Sequence, residues 1–217
     1  MHAATRSASF ALHDEGNVLP SSALAIPIVA ARNVVIFPGM TLSLNVGRPK
    51  SVAAVEAARA GDRWLLTIAQ KHERPDAEFE VDDLYRIGTL CRVEKVRGSA
   101  EHGFQVVVRG VARVRVLAFE VQAGALCAQT EALADEQDAD VQTLDALSKS
   151  VKAMAYELLR LVPADTSQVE ELIAGIDDPV LLGNLCSEYI DAPLATKQEL
   201  LETTSIKQRS LKLLELM

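Results

Sequence analysis

The amino-terminal part of the chain alternates apolar and polar positions with a period of two. The clearest case is Thr41–Val46, where Leu42, Leu44 and Val46 alternate with Thr41, Ser43 and Asn45. Successive side chains of a strand point to opposite faces, so this segment is predicted to be a half-buried β-strand. Further strands are predicted at 63–70, 85–96, 104–109 and 111–120, with Gly88 permitting a bend and Gly110 separating the last two.

Proline and glycine residues divide the segments around the Thr41–Val46 strand. A tight corner is predicted at Phe37-Pro38-Gly39, because proline fixes φ and glycine allows the chain to turn sharply. A helix is predicted over Pro49–Ala60, because proline suits the first helical turn and the following glycine suits the end.

The pattern becomes helical after the acidic run at 131–140. Apolar residues recur at steps of three and four up to Val162 and predict one long helix that ends before Pro163. Further helix starts are predicted from capping-box spacing and from an aspartate before a proline. They lie at Ser167/Glu170, Thr196/Glu199, Ser205/Gln208 and Asp178-Pro179.

These patterns predict an α+β fold with two lobes. Residues 24–132 are expected to form a bent β-sheet pseudo-barrel with one short helix, and residues 133–217 an α-helical bundle. Residues 1–23 include a polar run at 13–16 and no long apolar run, and they are expected to be a flexible tail. The apolar stripe of the last helix still runs at Met217, so we expect this helix to continue in a longer protein.

Seven short motifs in a fixed order carry a resemblance to a known family. They are RNVV at 32–35, FPG at 37–39, VGR at 46–48, DDLYRIGT at 82–89, VVRGVARV at 107–114, IDDP at 176–179 and KQELLE at 197–202. In this order the chain, from about Ala25 onward, resembles the amino-terminal substrate-binding domain of Lon proteases, which are ATP-dependent serine proteases that degrade damaged and regulatory proteins.

The resemblance implies a domain that binds unfolded or degron-bearing proteins and delivers them to ATPase and protease domains absent from this chain. It also implies a homohexamer in the full-length protein, with ATP and magnesium as cofactors of the ATPase domain. No cofactor is expected in this chain itself. A stand-alone adaptor or ligand-binding module of the same fold, without proteolysis, is the alternative.

Recognition of many sequences requires apolar side chains that remain reachable on a rigid frame. We expect Phe37, Pro38 and Met40 to serve this purpose, because a loop beside a proline can present apolar groups, with Arg48 and Lys50 on the adjoining rim. Phe37 and Met40 also fit core positions, and this alternative stays open.

The composition narrows the choice of partner and compartment. A formal net charge of -8 disfavours general binding to nucleic acid or to an anionic membrane. The later predicted strands carry many basic side chains, which are expected to form an ordinary solvated sheet face, with a site for a polyanion as a minor alternative. These side chains are Arg86, Arg92, Lys95, Arg97, Arg109, Arg113 and Arg115. The cysteines Cys91, Cys127 and Cys186 are far apart and odd in number, which fits a reducing cytoplasm.

The sequence predicts no catalytic or metal site in this chain. A nucleotide-binding ATPase needs a loop such as GxxxxGK[ST], which is absent, and Pro49 removes a donor from the nearest candidate. Lys50-Ser51 and 148–150 place lysine next to serine, but adjacency does not aim one side chain at the other. The four histidines lack paired-ligand spacing and are expected at the surface, whereas Trp64 is expected in the core.

Overall fold

A computed structural model describes residues 19–21, 24–72 and 79–217 of the chain. The expected flexible tail at 1–23 and the polar break near Pro75 lie almost entirely outside the described residues. The chain divides into two compact units, Met1–Leu133 and Ala134–Met217. The first unit contains all the strands, and the second contains five of the helices. The expected α+β class, with a β-rich segment followed by a helical one, is confirmed.

The described part of the first unit contains one sheet of six strands, one α-helix and a short 3-10 helix at Val81–Asp83. The strands are β1 (Ile26–Ala31), β2 (Thr41–Val46), β3 (Trp64–Ala69), β4 (Ile87–Ser99), β5 (Gly103–Gln122) and β6 (Ala125–Ala132), and the helix is α1 (Pro49–Ala60). Their order in the sheet is β2-β5-β4-β3-β1-β6. Strands β1 and β3 are parallel, which requires the crossover through β2 and α1, and the other pairs are antiparallel.

The sheet closes because β5 is long enough to hold two partners on one side. Its first half pairs with β2, its second half with β6, and its other side with β4 along most of its length. Strands β5, β4, β3, β1 and β6 therefore form a closed ring, with β2 attached at an edge. Irregularities in the β4–β5 register between Leu90 and Cys91 and between Val93 and Lys95 bend the pair. The predicted bent pseudo-barrel is confirmed.

Two apolar clusters lie on the two faces of this sheet. One contains α1 residues together with Leu44 and Leu65, and the other contains Trp64, Leu66 and Ile68. Neighbouring residues of β3 thus belong to different clusters, and all six of its residues are buried. This explains why the sequence of β3 is apolar throughout instead of alternating. The core position expected for Trp64 is confirmed.

Gly110 does not separate two strands, as expected from the sequence, but lies inside the single strand β5. A Cβ atom at this position would lie 2.5 Å from the carbonyl oxygen of Phe37, which is far too close for a real contact. Glycine inside a strand marks either a bend or a place where another backbone segment comes very close. Gly110 is the second case, because the absence of a side chain lets the backbone at Phe37 approach β5.

Five helices form the second unit. They are α2 (Val141–Arg160), α3 (Ser167–Ala174), α4 (Pro179–Tyr189), α5 (Leu194–Glu202) and α6 (Ile206–Leu216). The Asp178 carboxylate accepts from the Val180 N–H at 2.9 Å, and the Ser205 hydroxyl accepts from the Gln208 N–H at 2.9 Å. These two caps are as predicted.

The other two predicted caps are wrong by one to three residues. Ser167 is already helical, and Thr166 precedes it, with its hydroxyl donating to the Glu170 carboxylate at 2.9 Å. Thr196 lies within the first turn of α5, which begins at Leu194 after Pro193. In both cases the capping-box spacing located the first turn of the helix, but the residue that precedes the helix is Thr166 or Pro193 and not the predicted one.

A buried ion pair fixes the last helix within the second unit. The Arg209 guanidinium, with a side chain only 1% exposed, donates to the Asp135 carboxylate at 2.6 Å and to the Thr203 carbonyl at 2.8 Å. Removal of one partner from such a pair leaves a charge in a poorly solvated site, so this contact constrains where α6 lies against the segment before α2.

Candidate functional site

The corner predicted at Phe37-Pro38-Gly39 is a type II turn. The Met40 N–H donates to the Phe37 carbonyl at 3.1 Å, which closes the turn. Pro38 occupies the second position, and Gly39 has φ of 86° at the third position. Proline presets the dihedral of the second position, and glycine alone adopts a positive φ without steric cost, so this tripeptide specifies the turn locally.

Long-range hydrogen bonds hold the corner against the middle of the sheet. The Gly39 N–H donates to the Gly110 carbonyl at 2.9 Å, and the Gly110 N–H donates to the Met40 carbonyl at 2.8 Å. The Thr89 hydroxyl, which is buried, donates to the Ile36 carbonyl at 2.5 Å. Strands β4 and β5 therefore determine where the corner lies.

The side chains of the corner divide between core and surface. Phe37 is fully buried and Met40 is 4% exposed, so both occupy the core positions that the sequence had left as an alternative. Pro38 is half-buried. Phe37 and Met40 thus anchor the corner, and in this conformation neither presents apolar surface to a partner.

The rim residues Arg48 and Lys50 converge on the buried ring of Phe79. Arg48 donates to the Gln70 side chain at 2.7 Å and to the Ala30 carbonyl at 2.5 Å, and its guanidinium lies 4.9 Å from the ring centroid. The Lys50 ammonium donates to the Phe79 carbonyl at 3.0 Å and lies 5.3 Å from the same centroid. Both cations are half-buried, and their contacts hold Phe79 against the start of α1. Sequence reasoning missed Phe79, since no local pattern connects it with residues thirty positions earlier.

Strand β2 lies between the corner and the rim, so the fold places Phe37, Pro38 and Met40 at one end of this strand and Arg48 and Lys50 at the other. Leu44 and Val46 are buried, and Leu42 is half-buried against the same core cluster. Ser43 and Asn45 are exposed on the other face. We call Thr41–Val46, on the side away from β5, the β2 edge. It has the corner at its start and the rim at its end.

Large apolar side chains are also exposed elsewhere on each unit. In the first unit, Leu117 is 54% and Val121 is 70% exposed, both on β5. In the second unit, Val141 is 77% and Leu161 is 79% exposed, at the two ends of α2. Each unit therefore has a few large apolar side chains on its surface.

The basic side chains of the later strands are engaged individually. Arg109 pairs with Glu94 at 3.3 Å, and Arg115 pairs with Glu131 at 3.3 Å. Arg92 stacks over Trp64 with 4.2 Å to the ring centroid, and Arg113 is only 2% exposed although Arg115 is exposed. This arrangement favours the ordinary sheet face over a continuous polyanion surface.

Burial suppresses the reactivity of the cysteines. Desolvation raises the pKa of the Cys91 thiol and of the Cys186 thiol to about 12, and it also raises the pKa of Cys127. All three thiols are buried. Thiolates are the reactive form of cysteine, so these side chains belong to the core and not to a reactive centre.

The described ranges contain no group of three or more His, Cys, Asp or Glu side chains arranged to hold a metal ion. Within the same ranges, no helix is both long enough and apolar enough to cross a membrane.

Comparisons with known proteins agree with one another. Residues 25–217 match the family model of the ATP-dependent protease La (LON) substrate-binding domain. Lon protease 1 of Bdellovibrio bacteriovorus is 37% identical over 191 residues, and Lon protease of Anaeromyxobacter dehalogenans is 33% identical over 192 residues; each match covers 88% of this chain. The chain spans only about a quarter of these relatives, 24% and 23% of their lengths. The fold is similar to the amino-terminal domain of a Mycobacterium avium complex Lon protease, with a TM-score of 0.73 at 22% identity over 89% of this chain and 97% of that one.

Proposed function

The chain belongs to the family of Lon protease substrate-binding domains, and from this premise we propose that it captures unfolded or degron-bearing proteins and delivers them to ATPase and protease domains. Those domains are not contained in this chain, which accounts for about a quarter of the length of the relatives. The match of residues 25–217 to the family is the observation that carries this proposal.

The chain itself acts by binding and not by catalysis in this proposal. Peptide hydrolysis and ATP hydrolysis take place in the other domains, where ATP and magnesium bind, and the full-length protein assembles as a homohexamer in the cytoplasm. Each contact between one chain and a client is weak, with a Kd of about a micromolar or above. A hexamer presents six copies at high effective concentration, so weak contacts add up to retention of a client.

The exposed apolar side chains support capture of unfolded clients. An unfolded protein exposes its own apolar residues, whereas a folded one buries them. Leu117 and Val121 offer apolar contact area on β5, and Leu161 does so at the end of α2. Neither Leu117 nor Val121 takes part in the two core clusters of the first unit, so both are available for a partner without unfolding.

Titration of a labelled unfolded protein tests the proposal. Fluorescein-labelled α-lactalbumin, reduced and carboxymethylated so that it stays unfolded, is followed by fluorescence anisotropy as this chain is added. We expect saturable binding, and no binding of native α-lactalbumin. The double variant Leu117→Asp/Val121→Asp is expected to bind about fivefold more weakly or worse, since an acidic group loses the apolar contact. The matched control is Gln129→Asp, an exposed polar position on β6. Equal binding of native and unfolded lactalbumin contradicts the proposal.

A further inference from the structure

Strand β2 has a partner on only one of its two sides within the part of the chain that the structure describes. It pairs with β5 from Thr41 opposite Arg109 to Val46 opposite Phe104, and it is a terminal strand in the order of the sheet. An edge strand presents a row of backbone donors and acceptors that can pair with another extended chain.

Hydrogen bonds at the corner determine which groups of β2 face outward. The Gly110 N–H donates to the Met40 carbonyl, so these two residues form a hydrogen-bonded pair at the start of the β2–β5 ladder. Hydrogen-bonded and non-hydrogen-bonded pairs alternate along antiparallel strands. The even-numbered residues of β2 therefore bond to β5, and outward N–H and C=O groups belong to the odd-numbered residues Thr41, Ser43 and Asn45.

The β2 edge lacks the charges that protect other sheet edges. No residue of Thr41–Val46 is charged. The second half of β4 forms a contrasting edge, since its pairing with β3 ends at Arg92. That edge carries Glu94, Lys95 and Arg97, which are exposed. Charged side chains on an edge strand oppose the addition of another strand, so β4 is protected and β2 is open.

We propose that the β2 edge binds an extended segment of the client polypeptide as an additional strand of the sheet. This inference rests on the proposed function and names the chemical group that is recognised, which is the client's backbone. Every unfolded sequence carries the same amide donors and acceptors, whereas a folded protein has already paired them. Side chains of the added strand alternate, and those on the side of half-buried Leu42 gain apolar contact. A site of this geometry would distinguish unfolded from folded proteins but would not distinguish one unfolded sequence from another.

Residue-resolved amide exchange tests the geometry directly. The isotope-labelled chain is studied by NMR with and without a ten-residue peptide of alternating threonine and valine. We expect the amides of Thr41, Ser43 and Asn45 to exchange rapidly in the free chain and about tenfold more slowly or better in the complex. The amides of Leu42 and Leu44 are expected to be protected in both states, because they bond to β5.

A pair of variants at one position separates the backbone from the side chain. Ser43→Pro removes the outward N–H while leaving the bonds to β5, and Ser43→Ala keeps the N–H and removes only the hydroxyl. We expect Ser43→Pro to weaken binding of the fluorescein-labelled peptide by about fivefold to tenfold or more. Ser43→Ala is expected to bind like the wild type. Fluorescence of Trp64, which lies in the same unit, verifies that both variants are folded.

The outcomes separate this inference from the proposed function. If Ser43→Pro binds the peptide and unfolded lactalbumin like the wild type, and the three outward amides stay unprotected, the edge inference is wrong while the function stands. If the wild type binds neither probe, both fail. If these amides become protected with rising protein concentration alone, the occupant is a second copy of the chain and the inference is overturned. Should Ser43→Pro not fold, the amide exchange of the wild type decides.

Discussion

Replacement of Gly110 by alanine should destabilise the first unit strongly, although it adds only one methyl group. The new Cβ would lie 2.5 Å from the Phe37 carbonyl oxygen, 3.1 Å from the Thr89 side chain and 3.2 Å from the Phe37 carbonyl carbon. Ordinary van der Waals contact begins at 3.4 Å, so the corner has to move by about 0.9 Å. The obstructing atom belongs to the backbone, and therefore no rotamer change relieves the clash.

The magnitude follows from what this movement breaks. Two hydrogen bonds join Gly110 to the corner, at 2.9 Å to Gly39 and 2.8 Å to Met40. Each contributes about 1 kcal/mol. Displacement of the buried Phe37 ring adds about 1–2 kcal/mol for overpacking. The sum is about 3–4 kcal/mol of unfolding free energy, or a decrease of about 1.5–2 M in the urea midpoint at a slope of about 2 kcal/mol per M.

Fluorescence of Trp64 is the appropriate assay, because it is the single tryptophan and lies in the core of the first unit. The matched control is Gly47→Ala, a glycine of the same unit at the far end of β2 from the corner, where a new Cβ meets no atom within 4 Å. That variant is expected to unfold within about 0.5 kcal/mol of the wild type. Equal urea midpoints for Gly110→Ala and Gly47→Ala would refute the assignment of Gly110 to a close backbone approach.

Three further predictions concern the core, the helical unit and the thiols. Phe37→Ala should decrease the unfolding free energy of the first unit by about 3–5 kcal/mol in the same urea assay, since the ring is fully buried; a change below about 1 kcal/mol would place Phe37 on the surface instead. Asp135→Asn should destabilise the second unit by about 1–3 kcal/mol, because it leaves the buried Arg209 charge without its carboxylate; far-UV circular dichroism measures this, and an unchanged melt would contradict it. Stability should fall as the pH rises from about 8 to about 10, because the unfolded chain loses thiol protons near the ordinary pKa of 9.0 while folded Cys91 and Cys186 keep theirs to about 12. The double variant Cys91→Ala/Cys186→Ala should show a smaller decrease, and an equal decrease would exclude the thiols as its cause.

Local signals were sufficient for the corner, β2 and α1. The strand Thr41–Val46 and the helix Pro49–Ala60 occur with the predicted bounds, because alternation, Pro38, Gly39 and Pro49 each act on their own neighbours. The same is true of the cap at Ser205, whose hydroxyl bonds only three residues onward. Such features depend on residues that are close in sequence, so the sequence alone is enough to predict them.

Long-range contacts account for what the sequence did not predict. Gly110 resembled a strand break because its partner, the Phe37 carbonyl, lies far away in the chain. The burial of Phe37 and Met40 depends on strands β4 and β5, which the corner motif does not contain. Phe79 became part of the site only when folding brought it to Arg48 and Lys50. The open edge of β2 also required the strand order, which local periodicity leaves undetermined.

The family match covers most of the chain and establishes which type of domain it is. It identifies a Lon substrate-binding domain, and the proposed pairing at the β2 edge would let such a domain hold clients that share no sequence. In the proposed function, side-chain contacts at Val121 or Leu161 favour apolar clients, and in the proposed binding mode backbone pairing at β2 favours extended ones. Both features are properties of unfolded chains, so under this proposal a weak site of each kind would suffice if several copies acted together.

The most direct test of the central claim is an anisotropy titration of labelled, permanently unfolded α-lactalbumin with this chain. The account predicts saturable binding with a Kd of about 1–100 µM, competition by unlabelled unfolded protein and no binding of native lactalbumin. Absence of any anisotropy change with the unfolded protein at about 1 mM chain would contradict it.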